Sequence, residues 1–264
     1  MSVAQIQFET APVVRVLWKQ SRAQIVNSLR IPAFTLTTAV LPIMFFAFFG
    51  LPNVHQKFQG STVNVGAYLM ASFGAFAVSS AMVFNFGIGV AVARGQKMDV
   101  LQRAMPLPPG VALAATVVNA MLFALISLIA LFTFATIAGG VQLSVGTWFN
   151  LTVRLLLGAV PLIGLGMAIG YAAGPNSAPA VANLIYMPMS FASGLFIPVQ
   201  DLPNVVQKIA PYLPTYHYGQ LAWNAVGAPT ESVEKAVIGL AIWAAILFAL
   251  ALRFLRLDQN RKFA

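Results

Sequence analysis

The sequence predicts an all-α, polytopic membrane protein with six transmembrane helices, and three observations carry that prediction. Of 264 residues, 59% are hydrophobic and only 8% are charged, with a mean hydropathy of +0.82. A soluble domain carries about 25% charged residues. The apolar residues are gathered into runs of roughly 20, the length that crosses a ~30 Å hydrocarbon core at ~1.5 Å per residue. All six acids, Glu9, Asp99, Asp201, Glu231, Glu234 and Asp258, fall outside those runs.

Taken in order, residues 1–30 carry a helix lying on the membrane surface. Val14, Trp18, Ile25 and Leu29 share one face, and Arg15, Lys19 and Arg22 line another, a pattern suited to a lipid interface. This segment has no continuous apolar core of the kind a signal peptide needs. The first span is 31–51, with Pro32 in its opening turn, Pro42 as a kink and Pro52 as a stop. The second is 65–93, longer than a perpendicular crossing requires and therefore tilted or emergent.

Residues 94–110 form a polar island between two long apolar runs. Val100, Leu101 and Ala104 fall on one side of a short helix flanked by Lys97 and Arg103, and Pro108 and Pro109 end it. The third and fourth spans are 111–137 and 148–171, joined by an uncharged turn. Arg154, near the start of the fourth, is expected to snorkel to the interface. Gly166, Gly170 and Gly174 recur every four residues, a small-residue face that lets helices pack closely. The fifth span is 179–197. After a long loop, 198–235, comes the sixth, 236–254, and a basic tail. The whole chain reads as one transmembrane domain.

Six spans place both termini on one side. Eleven basic residues lie on that side, in the N-terminal segment, the island and the tail, against four opposite: Lys57, Arg154, Lys208 and Lys235. The positive-inside rule puts the termini and island in the cytoplasm of a cell whose inner (plasma) membrane holds the chain. The net charge of +9 is thus a topology signal matched to lipid headgroups, not a nucleic-acid footprint.

Several chemistries are disfavoured. No acid lies within a span, which argues against ion-coupled transport. There is no P-loop, so any ATP must be bound by another subunit. No metal-ligand spacing occurs, and there is no cysteine. Ser193-Gly194 with His217 downstream has some similarity to the dyad of rhomboid intramembrane proteases. However, Phe191 stands where that family has its first glycine, and His217 lies in a proline-rich loop. The better reading is a small pair at a helix contact, and no catalytic residue is assigned.

The loop is too apolar for solvent and too broken by Pro198, Pro203, Pro211 and Pro214 for a span. Two short helices, at 204–209 and 216–225, fit it. They dip into the outer leaflet, with Tyr216, Tyr218 and Trp223 at the interface. An interfacial loop with belt aromatics fits as well.

The island ending in Pro106-Leu107-Pro108-Pro109, together with SGLFIPVQDLP…IAPYLPTYHYGQLAW from Ser193 to Trp223, resembles the type-2 class of ABC exporter permeases. The resemblance covers nearly the whole chain. It implies a permease that exports drugs, antibiotics, lipids or polysaccharides, and its look is nearest to bacterial antibiotic and multidrug exporters. It also implies that Lys97, Met98, Asp99, Val100, Leu101, Gln102, Arg103 and Ala104 form a coupling helix docking on a separate ATPase, which binds the ATP and Mg. The permease itself needs no cofactor. Pro203, Pro211, Pro214, Tyr216, His217 and Trp223 belong to a re-entrant outer gate, and two permeases pair as a homodimer or heterodimer. Where many relatives have glutamates before the coupling helix, this chain has Ala93-Arg94-Gly95-Gln96. The phenylalanine-rich spans suit an amphipathic, drug- or lipid-like cargo better than a polysaccharide. The competing readings are a self-sufficient channel or carrier and an intramembrane enzyme.

Overall fold

A computed structural model describes residues 13–29, 40–57, 64–96 and 109–263. Every regular element among them is helical, apart from one isolated bridge between Lys57 and Asn64. In chain order the helices are α1 (Val13–Leu29), α2 (Val40–Asn53), α3 (Val65–Gly95), α4 (Pro109–Ile137), α5 (Val145–Gly158), α6 (Val160–Ala172), α7 (Ala178–Ala192), α8 (Asn204–Ile209), α9 (Pro214–Ala225) and α10 (Val233–Phe263).

Four segments are long and apolar enough to cross a membrane: α3, α4 from Gly110, α5 with α6, and α10 as far as Gln259. The axis of the bundle is α3, which packs on α4, α6, α7 and α9. Asn64 starts it, its side-chain oxygen accepting from Gly66 N at 2.8 Å. From Gly66 to Val83 every residue of α3 is buried, as an all-round apolar helix demands. By contrast α10 is mostly open, with Val237, Ile238, Ile242 and Ile246 about half exposed.

Glycines set the approach of α6 to α3. A Cβ on Gly166 would lie 2.8 Å from Val83 O, and one on Gly170 would lie 2.7 Å from Val90 Cβ and 2.8 Å from Gly87 O. Without those methyls the backbones come close enough for dense contact. Gly174, expected on the same face, falls past the end of α6. A Cβ there meets nothing nearer than Ser177 Oγ at 3.7 Å.

Several expected boundaries move. The stop expected at Pro52 falls one residue later: α2 widens through a π-turn (Phe46–Gly50) and then tightens into a 3-10 turn (Leu51–Asn53) that holds Pro52 in its opening positions and ends the helix. Residues 31–39 lie outside the described residues. The fourth span begins three residues before the expected 148 and is interrupted at Ala159, since Pro161 in the first turn of α6 supplies no N–H. The fifth run, expected to reach 197, is helical only to Ala192. Gly194 then turns the chain at φ +87°, a region open chiefly to glycine. The basic tail is not a loose extension: α10 continues through it to Phe263.

Candidate functional site

The bundle has two functionally suggestive ends. At one, which we term the island end, α3 finishes and α4 begins. At the other, the loop end, α8 and α9 cover the tops of α3, α5 and α7.

At the loop end, α8 has the expected bounds and α9 starts two residues before the expected 216, because Pro214 is its first residue. Pro203 precedes α8, and Pro211 sits in a 3-10 turn, Ala210–Tyr212. These three prolines frame the loop, while the aromatic residues of α9 bind it to the bundle. Trp223 Nε1 donates to Ser72 Oγ of α3 at 2.7 Å, and the indole stacks on Tyr68 with ring centroids 5.1 Å apart. Tyr218 OH donates to Leu155 O of α5 at 2.7 Å. Thr215 Oγ1 donates to Met189 O of α7 at 3.2 Å. His217 lies on α10, where a Cβ on Gly239 would come within 2.6 Å of its ring.

Arg154 does not snorkel freely. It donates through Nε to Asn150 Oδ1 at 2.8 Å and through a terminal nitrogen to Asn224 Oδ1 of α9 at 2.7 Å. From the second half of α5, its guanidinium donates to one acceptor on its own helix and one on α9, and so ties the two helices.

Between the end of α2, the start of α3, the turn after α7, and α9 lies a cleft of about 1020 Å³. Tyr68, Phe196 and Trp223 form its aromatic part, and Lys57, Asp201 and Glu231 bring charge to it. Glu231 is positioned twice: its Oε1 accepts from Tyr216 OH at 3.0 Å, and its backbone N donates to Gln220 Oε1 at 3.0 Å. Burial, then the hydrogen bond to Glu231 and the charge of its carboxylate, push the Tyr216 hydroxyl up to about 12. Burial also holds His217 below its ordinary value, while the charge of Glu231 works in the opposite direction. Of the gate residues named from sequence, Tyr216 and Trp223 thus reach the cleft and His217 contacts α10 instead.

The island end contains a node that sequence reasoning missed. Arg94, assigned to the polar island, is in the last turn of α3. One terminal nitrogen donates to Gly170 O at 2.7 Å and Ala173 O at 3.2 Å, and the other binds the Asp258 carboxylate of α10. Both side chains are largely covered, at 21% and 13% exposed. The Tyr171 ring adds a face 5.9 Å from the guanidinium carbon. One cation therefore satisfies the carbonyl end of α6 and joins three helices. The only sequence signal was a lone arginine ending an apolar run. The coupling residues, Lys97 to Ala104, lie outside the described residues.

The serine and histidine weighed for a hydrolytic dyad do not come together. Ser193 is fully buried and its Oγ donates to Ser190 O at 3.1 Å; no hydrogen bond joins it to His217 among the described residues. Nor, among those residues, do three His, Asp or Glu side chains gather in a group suited to a metal ion.

Residues 14–224, which span the bundle from α1 to α9, match the family described as ABC-2 type transporter. The chain belongs to the ABC-2 type transporter family. It is also 28% identical over 248 residues to the protein named "Putative transport permease YvfS" of Bacillus subtilis (strain 168), an alignment covering 94% of this chain and 99% of that one. Membership in this family and the four long apolar segments make the chain a multi-pass membrane transport permease. The loop-end cleft and the Arg94 node are therefore parts of a transport protein rather than of an enzyme.

Proposed function

We propose that this permease is the membrane subunit of an ATP-driven exporter of amphipathic small molecules, drug-like or lipid-like. Six crossings are made by α2 with the residues before it, α3, α4, α5 with α6, α7 with the turn after it, and α10. Both termini and the island face the cytoplasm of the inner (plasma) membrane, following the excess of basic residues on that side. The island docks as a coupling helix on a separate ATPase that binds ATP and Mg, and two permease chains pair as a homodimer or heterodimer around the transport path. The observation that carries this reading is a family match reaching from α1 across the island to the end of α9, in a chain whose sequence has no P-loop of its own.

The test is capture of the chain from its own cell with whatever P-loop ATPase accompanies it, followed by reconstitution with and without that ATPase. Inside-out vesicles should accumulate an amphipathic fluorescent dye only when ATP and the ATPase are both present. Equal accumulation without the ATPase would make the chain a self-sufficient channel or carrier and overturn the proposal.

A further inference from the structure

We propose that the loop-end cleft is a binding site for an aryl-bearing organic cation. The cleft is organised in the absence of any ligand. Its aromatic floor is fixed because Ser72, fully buried in α3, accepts from Trp223 Nε1, and the indole stacks on the Tyr68 ring 18° from parallel. With its indole N–H engaged by Ser72, Trp223 offers ring surface to the cleft, as Tyr68 and Phe196 do, a surface suited to an aryl group.

The charge at the same cleft selects the sign. Among the described residues the ion pair is Arg94–Asp258 at the far end of the bundle, so neither Asp201 nor Glu231 is neutralised by a salt bridge. Glu231 is held at the rim by Tyr216 and Gln220, both over nine-tenths buried. Two carboxylates face one lysine, Lys57. An anion entering the cleft meets net repulsion, whereas a cation meets carboxylates together with aromatic rings, the pairing that recognises quaternary ammonium and phosphonium groups. The volume of about 1020 Å³ accommodates a drug-sized ligand. This inference deepens the exporter reading by naming the charge class of its cargo. It rests on that reading only for the statement that cargo passes through this end.

Binding to the purified full chain in zwitterionic nanodiscs tests it without ATP or an ATPase. The probes are tetraphenylphosphonium and tetraphenylborate, which share a shape and differ in sign. The phosphonium should bind saturably by equilibrium dialysis and quench tryptophan fluorescence, with most of the quenching lost in Trp223→Phe. Glu231→Gln and Asp201→Asn should each weaken it about fivefold or more, and Lys57→Gln should tighten it about twofold. Glu231→Gln keeps an oxygen for Tyr216, so the rim retains its shape. Non-saturable uptake of the phosphonium, saturable binding unchanged when both carboxylates are replaced, or tighter binding of the borate would each overturn the proposal. Binding that persists in a chain that fails at ATP-driven export would count against the exporter reading alone. Export that persists without this binding would count against the cleft alone.

Discussion

Arg94 and Asp258 are 164 residues apart in sequence, yet their side chains meet where α3, α6 and α10 end together. The pair closes the island end of the bundle immediately before the polar segment that starts at residue 97.

The two halves of this node should not be equivalent. Asp258→Asn leaves Arg94 its bonds to Gly170 O and Ala173 O and an amide oxygen at the old site, and should cost about 1.5 kcal/mol, the lower bound for a hydrogen bond to a charged group. Arg94→Ala removes all three bonds, those that cap α6 included, and should cost more than Asp258→Asn. Unfolding midpoints of the purified variants in a detergent series check the ranking. Equal losses would mean that the ion pair, and not the cap on α6, carries the effect. Replacing both residues should cost less than the sum of the single changes.

The three regularly spaced glycines divide in the same way. Gly170→Ala drives a methyl against the backbone of α3 and should destabilise by about 1–3 kcal/mol, with Gly166→Ala alongside it. Gly174→Ala meets only Ser177 Oγ, at 3.7 Å, and should be neutral in expression level and thermal midpoint. If all three behave alike, the α3–α6 contact is not set by backbone approach.

Sequence pattern went furthest where a local rule had no competitor. Pro203 and the apolar Val205, Val206 and Ile209 were enough to give α8 its bounds, and the apolar run from Val65 gave the start of α3. Three features were not legible, the last because its partners are remote in sequence. The break at Ala159 reflects Pro161 acting within an otherwise unbroken apolar run. The early end of α7 depends on a left-handed turn at Gly194 whose side is filled by Val199. Arg94 and Arg154 look alike in sequence as arginines at the edges of apolar runs, but one binds α10 and the other α9, and neither partner can be read from spacing. The cleft was half visible: Tyr216 and Trp223 stood out as interfacial aromatics, whereas Ser72, the group that fixes the floor, was one small residue within a span.

His217 predicts a pH response. Burial against α10 lowers its proton affinity in the folded state, so the unfolded chain binds more protons in the range just below about 6.5, and stability rises with pH there. Stability should therefore fall as pH drops from about 6.5 toward 5. His217→Gln, which cannot protonate, should lose this pH dependence, so the wild-type-minus-variant difference in thermal midpoint, measured at half-unit pH steps, should grow from about pH 5 to about 6.5. A difference that shrinks on raising the pH would reverse the assigned sign.

The last prediction concerns the island itself, where the sequence sets Val100, Leu101 and Ala104 on one side and Lys97 and Arg103 at the flanks. If that side seats in a groove of an ATPase, burying Leu101 contributes about 1.5–3 kcal/mol, and forcing a carboxylate into the same groove costs more. Leu101→Glu should then leave the chain inserted in the membrane while ATPase association and transport fall together. Lys97→Gln and Arg103→Gln should do much less, because a solvated rim charge contributes about 0–1 kcal/mol. A segment that only orients the chain gives the opposite ranking, with charge removal disturbing insertion and Leu101→Glu harmless. Membrane level, pull-down of the ATPase and transport, measured on the same three variants, separate the two, since a loss of pull-down at constant membrane level can arise only from a docking face.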